Sequence, residues 1–231
     1  MWERQLALAE AGWHVLVPQL RGFDGGTDEI PASSVDDYAG DVIDLLDSLH
    51  IDEAVIGGVS MGGYIAFAVL RHATRYVHAL ILADTKPQAD SPEALEGRKR
   101  LLQTLEAKGA AGVADEMIPK LLGETTRRER PDVVRQVREL VLASSSGALA
   151  GAIRALMSRP DSTGLLPTIH VPTLILVGVE DTVTPVANAL EMQRGIGGAE
   201  LVQIPGAGHL SNLEQPEAFD AALARFLSHR V

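Results

Sequence analysis

Three residue types that together make a serine reactive occur in this chain of 231 residues, each in a setting that suits the task. Ser60 lies in Gly57-Gly58-Val59-Ser60-Met61-Gly62-Gly63, between the apolar run Ala54-Val55-Ile56 and the helix-like run Tyr64 to Leu70. Gly58-x-Ser60-x-Gly62 matches the pattern of a sharp strand-to-helix turn that lifts a serine hydroxyl above the strand ends. A residue in such a strained conformation needs neighbours without side chains, so that strand and helix approach closely. The same pattern also fits an ordinary Gly-rich connection or a phosphate-cradling loop, so the other two residues must decide.

A serine hydroxyl near neutral pH needs a base, usually a histidine oriented by a carboxylate. Downstream, the apolar run Val171 to Val177 leads into Gly178-Val179-Glu180-Asp181-Thr182, which puts Asp181 just past a strand end. The run Glu200 to Ile204 leads into Pro205-Gly206-Ala207-Gly208-His209, which puts His209 on a glycine turn. Asp181 alone also reads as a helix cap, and Glu180 and Asp84 are rival acids; Asp181 is preferred because a Gly-x-x-Asp turn directly after a core strand suits the role. His209 alone reads as a surface histidine. The other six histidines lack its setting, and none has metal-ligand spacing with another. Serine, acid and histidine in that order at three strand ends point jointly to acyl transfer.

The elements that must position these groups follow from hydrophobic periodicity. A short helix over residues 1–12 stops at Gly12, and His14-Val15-Leu16-Val17 reads as a buried strand. Arg21 to Pro31 is a glycine-rich loop, and the spacing of Val35, Tyr38, Val42, Leu45, Leu46 and Leu49 predicts a helix with Ser34 and Asp37 as its N-cap arrangement. A strand at 54–57, a helix at 61–72 and a strand at 79–83 follow, which indicates a parallel sheet covered on both faces. Residues 92–160 give only helical signals, an insertion placed to cover the strand ends as a lid or to stand as a plain helical subdomain. The expected division is a core of residues 1–85 and 167–231 with a cap at 86–166.

Composition narrows the partners. Hydrophobic residues make up 46% and charged residues 22%, ordinary values for a globular chain. The formal net charge of −11 argues against nucleic acid and anionic membrane as partners, since both need clustered Lys and Arg. With no cysteine there are no disulfides, thiolate metal sites or cysteine nucleophile. No apolar run is long enough to span a membrane and the first residues lack a signal peptide's pattern, so a cytoplasmic location is expected. None of the motifs calls for a cofactor or a metal.

Gly58-Val-Ser60-Met-Gly62-Gly63, Gly178-Val-Glu-Asp181 and Gly206-Ala-Gly-His209-Leu-Ser-Asn-Leu-Glu together resemble the α/β-hydrolase superfamily, and the last run is similar to 3-oxoadipate enol-lactonases and their esterase relatives. The resemblance implies an α/β fold with a mostly parallel sheet and a helical cap. It implies Ser60 as nucleophile, His209 as base, Asp181 as orienting acid and the Met61 backbone N–H as one oxyanion donor. Arg21-Gly22-Phe23 is similar to the family's Arg-Gly turn, while Asp24-Gly25-Gly26 departs from its Gly-x-Ser ending. Family members begin with further strands, the third ending in a loop that supplies a second oxyanion N–H. No such strand is read before Trp2, so the expected sheet is N-terminally truncated, and loss of one donor costs on the order of 100- to 1000-fold in turnover.

The leading expectation is therefore a carboxylesterase or lactonase acting through an acyl-enzyme on Ser60, with a small-molecule ester or lactone as partner. The competing expectation is a weakly active or inactive hydrolase-fold protein that acts by binding or assembly, and cofactor-free perhydrolysis stays open beside hydrolysis. Aspartate-nucleophile chemistry is disfavoured because Ser60 stands at that position. If the chain folds alone, strand 14–17 is expected to pair directly with strand 54–57, or a second copy to fill the gap in a homo-oligomer.

Overall fold

A computed structural model of the protein describes residues 1–23 and 34–231. Among these residues four strands form one parallel sheet: β1 (Ala54–Val59), β2 (Val77–Ala83), β3 (Thr173–Gly178) and β4 (Glu200–Ile204). Their order in space is their order in the chain. Parallel neighbours need crossover connections, and helices supply them: α1 (Val35–Ser48) precedes β1, α2 (Met61–Ala73) joins β1 to β2, and α7 (Val186–Gly195) joins β3 to β4. Between β2 and β3 stand α3 (Pro92–Leu121), α4 (Glu124–Glu129), α5 (Pro131–Leu142) and α6 (Ser146–Ser158). The short α8 (Ser211–Glu214) and then α9 (Pro216–Arg230) follow β4.

Period-two alternation explains the two cores. On β2, Leu80 and Leu82 face α1, α2 and α7, where they join Tyr38, Phe67 and Met192; Ala79, Ile81 and Ala83 face the other way, toward Phe219 and Phe226 of α9. On β3, Ile175 and Val177 point to the first core and Leu174 and Leu176 to the second. A strand buried on both faces reads as a continuous apolar run, the pattern that marked these segments in the sequence. Local signals start the helices. The Ser34 hydroxyl accepts the Asp37 N–H at 3.1 Å while the Asp37 carboxylate accepts the Ser34 N–H at 3.0 Å, a reciprocal cap worth about 1 kcal/mol.

The helical insertion has a core of its own, in which Leu101, Leu105 and Val113 of α3 meet Ile153 of α6. α3 is broken at Gly109, whose φ of +64° lies in the region that glycine tolerates best. Among the described residues no single helix is long and apolar enough to cross a membrane; one bent pair, α5 with α6, passes that test jointly by length and composition.

The expectation for residues 14–17 is corrected. No strand forms there, Leu16 and Val17 are exposed, and among the described residues β1 has β2 as its one sheet neighbour. A cleft of about 270 Å³ lies between residues 13–18 and the β1 side chains, with Trp2, Val55, Gly57 and Ile81 in its walls. Adjacent strands must lie within about 4.9 Å to share a ladder, and a cleft of this size keeps the segment beyond that reach. An apolar run shows β propensity but does not name its partner. Residues 4–11 form a 3₁₀ segment that ends, as expected, at Gly12 with φ +89°. The loop expected over Arg21–Pro31 is described only as far as Phe23, and its Asp24-Gly25-Gly26 part lies outside the described residues.

Candidate active site

Ser60 sits between the end of β1 and the start of α2 with φ +54° and ψ −111°, a conformation a serine holds only where its surroundings enforce it. They do so through the backbone. The Ser60 N–H donates to the Ala83 carbonyl at 2.9 Å, and the Ser60 carbonyl accepts the Thr85 hydroxyl at 2.9 Å and the Gly63 N–H at 3.0 Å. The turn is so tight that a Cβ on Gly58 would fall on the Gly62 backbone. That contact is why glycine is needed two residues before the serine.

His209 arrives from the loop after β4. Its N–H donates to the Leu121 carbonyl at the end of α3 at 3.0 Å, and a Cβ on the preceding Gly208 would collide with the Gly123 backbone, so the loop and the α3–α4 junction pack main chain against main chain. Glu214, fully buried, fastens the same region: it accepts the Gly123 N–H at 2.8 Å and the Leu210 N–H at 3.1 Å. The imidazole is thereby aimed at Ser60, with Nε2 2.7 Å from Oγ.

On its other side, His209 Nδ1 lies 2.8 Å from Asp181 Oδ2. An ionised carboxylate only accepts, so Nδ1 carries the proton and donates, which leaves the Nε2 lone pair to accept from the Ser60 hydroxyl. Asp181 is held in turn by the Val183 N–H at 2.7 Å, the Thr184 N–H at 3.0 Å and the Thr184 hydroxyl at 2.6 Å. Burial by itself would raise the Asp181 pKa, but the hydrogen bonds and charge of His209 and the bonds from Thr184 outweigh it and hold the carboxyl below its ordinary value. The carboxylate therefore stays ionised beside the imidazole. Asp181 does not cap the following helix, whose N-cap is Pro185; one of its oxygens takes the Val183 and Thr184 N–H groups of the preceding turn while the other faces the histidine.

The rival acids go elsewhere. Asp84, fully buried with φ +44°, accepts the Gly178 N–H at 2.8 Å through Oδ1 and the Ser211 N–H at 3.2 Å and hydroxyl through Oδ2. Burial pushes its pKa up to about 7. It stitches the end of β2 to the end of β3 and to the His209 loop without bonding the imidazole. Glu180 turns outward to the helical insertion, where it accepts the Thr125 N–H at 2.9 Å and hydroxyl at 2.5 Å. Met61 is the first residue of α2, so its N–H has no intrahelical acceptor and lies at the positive end of the helix dipole beside Ser60. Among the described residues no group of three or more His, Asp or Glu is placed to hold a metal ion.

The sequence reading did not single out Thr184, Glu214, Ser211 or Thr85. Ser211 and Glu214 stand within the Gly206 to Glu214 run that carried the resemblance, whereas Thr85, next to Asp84, and Thr184, three residues after Asp181, gave no signal of their own.

A family model described as the alpha/beta hydrolase family matches residues 1–222. The chain belongs to that family. Within it, the chain is 38% identical to a thermophilic esterase from Thermogutta terrifontis, with a TM-score of 0.92 over 98% of this chain and 84% of that one. The enol-lactonase from Burkholderia xenovorans LB400 superposes with a TM-score of 0.87 at 27% identity, over 99% of this chain and 86% of that one. In sequence, 3-oxoadipate enol-lactonase 2 of Acinetobacter baylyi is 27% identical over 223 residues, 96% of this chain and 82% of the relative. Ser60, Asp181 and His209 follow the carboxyl ends of β1, β3 and β4, the side on which open α/β sheets bind their ligands.

Proposed function

We propose that the protein is a serine hydrolase of carboxylic esters or lactones, with Ser60 as nucleophile, His209 as general base and acid, and Asp181 as the group that orients and stabilises His209. The observation that carries this reading is the unbroken line of hydrogen bonds from Ser60 Oγ through His209 to Asp181, at 2.7 and 2.8 Å. His209 Nε2 takes the hydroxyl proton as Oγ attacks the carbonyl carbon. The carbonyl oxygen becomes an oxyanion that accepts the Met61 N–H, and the imidazolium then gives its proton to the departing alkoxide. Water, deprotonated by the same nitrogen, attacks the acyl group and frees Ser60. A lactone follows the same course with the leaving alkoxide tethered to the acyl chain.

Residues 86–166 act in this reading as a cap. Its α3–α4 junction is bonded directly to the His209 loop, so its packing shapes the acyl pocket and excludes water from the reacting atoms. The names of the relatives, esterase and enol-lactonase, support the substrate class. The test is turnover of a short-chain p-nitrophenyl ester by the wild type and Ser60→Ala. The expected result is saturable hydrolysis by the wild type and a variant reduced to the background rate.

The edge of β1 that has no strand partner among the described residues, and the cleft beside it, favour a second reading, in which the chain works by assembly, with a strand of a second copy filling the cleft, and turns over weakly or not at all. Equal turnover by the wild type and Ser60→Ala supports that reading over the first.

A further inference from the structure

Thr184 is buried and touches both partners of the Asp181–His209 hydrogen bond. Its hydroxyl donates to Asp181 Oδ2 at 2.6 Å and lies 3.2 Å from His209 Nδ1, the nitrogen that donates to the same Oδ2 at 2.8 Å. Oδ2, Oγ1 and Nδ1 therefore close a triangle in which each atom is within hydrogen-bond reach of the other two.

The segment Asp181-Thr182-Val183-Thr184-Pro185 builds this contact locally. Asp181 Oδ1 accepts the N–H groups of Val183 and Thr184 at 2.7 and 3.0 Å, which turns the chain back over its own carboxylate. Pro185 follows, and a residue before proline is confined to extended backbone. The β-branch of threonine restricts χ1 further, so few orientations are left to the hydroxyl.

A hydroxyl has one proton to give. Donated to an ionised carboxylate, where charge strengthens the bond, that proton is not available to the imidazole, and Oγ1 meets Nδ1 with a lone pair. A lone pair suits a protonated Nδ1 and opposes the tautomer with the proton on Nε2, which cannot accept from Ser60. Burial raises the Asp181 pKa, and the bonds from Thr184 join those of His209 in bringing it down. When His209 takes the Ser60 proton, its positive charge forms against a carboxylate already held in place.

We propose that Thr184 is a positioning residue for the reaction: its hydroxyl selects the His209 tautomer that accepts the Ser60 proton and fixes the Asp181 oxygen that stabilises the imidazolium. The proposal rests on the serine hydrolase reading and adds a fourth side chain to the three that carry it. The hydroxyl acts through Asp181 and His209 and not on the substrate, so its loss should appear in kcat rather than in KM.

The test compares Thr184→Ser with Thr184→Ala on a short-chain p-nitrophenyl ester. Both lose the methyl group, and they differ only in the hydroxyl. Thr184→Ser should keep kcat within about threefold of wild type, while Thr184→Ala should lower it by about 10- to 100-fold with KM within about twofold. Added to Asp181→Asn, the Thr184→Ala change should cost less than about threefold in kcat, because the carboxylate through which it acts is gone. Equal kcat for the serine and alanine variants, a loss confined to KM, or the full loss repeated in the Asp181→Asn background overturns the proposal. Thr184→Val, which keeps the shape without the hydroxyl, takes the place of Thr184→Ala if that variant does not fold. If the wild type turns over no ester, the hydrolase reading fails by itself, and the His209 Nδ1 proton decides the positioning role. Its low-field proton resonance, identified by its loss in His209→Ala, should be retained in Thr184→Ser but shifted and faster to exchange with water in Thr184→Ala. No such resonance in the wild type, or the same resonance in Thr184→Ala, overturns the positioning role.

Discussion

Replacing His209 with alanine should lower kcat for a short-chain p-nitrophenyl ester by on the order of 10⁶-fold, because in the proposed mechanism serine and histidine act as one unit and loss of either forfeits nearly all of their joint contribution. The reason lies in the single contact that His209 Nε2 makes with Ser60 Oγ at 2.7 Å. Without it, the hydroxyl keeps its proton and the leaving alkoxide has no acid. The same coupling predicts that Ser60→Ala added to His209→Ala costs almost nothing more. Steady-state kcat for the two single variants and the double variant checks this, with circular dichroism as the control for folding, since His209 is 1% exposed and its removal leaves Asp181 buried without its partner. Losses that multiply in the double variant contradict a shared unit.

Asp181→Asn is the second large effect, with an expected fall in kcat of about 10⁴-fold and little change in overall structure. An amide in place of the carboxylate can donate to His209 Nδ1. That stabilises the tautomer with the proton on Nε2, which can no longer accept from Ser60. Asp84→Asn and Glu180→Gln separate this cause from a general effect of removing acidic groups. Neither residue bonds the imidazole, and each should keep kcat within about 100-fold of wild type. The cost of Asp84→Asn should appear mainly in stability, at about 1–3 kcal/mol, because the new amide N–H₂ meets the Ser211 N–H that Asp84 now accepts. A 10⁴-fold loss on Asp84→Asn with Asp181→Asn nearly intact would reverse the assignment of the acid.

Much of this arrangement is legible before any coordinates, for identifiable reasons. β2 and β3 are buried on both faces, so their apolar runs are continuous and bounded by turn residues; Asp84 directly follows the end of the first and Asp181 lies three residues past the end of the second. Ser34 with Asp37 is a purely local signal, and it forms as read. The choice among three acids is not local: it depends on which carboxylate β3 and β4 bring to one imidazole, and only Asp181 reaches it. The contact of Asp84 with Ser211 spans 127 positions and that of Gly123 with Glu214 spans 91, so no window on the sequence contains them. The run at 14–17 is the reverse case, where local apolar character suggests a strand and the partner needed to make one is not alongside.

The most direct test of the account is where a transition-state mimic attaches. Treating the protein with a p-nitrophenyl alkylphosphonate, which transfers its phosphonyl group to an activated serine, should add one group per chain as ester turnover is lost. Peptide mapping by mass spectrometry should place it on Ser60, and Ser60→Ala should stay unlabelled. Full ester turnover by a protein that takes no label at Ser60, or loss of turnover with the label on another residue, would contradict it.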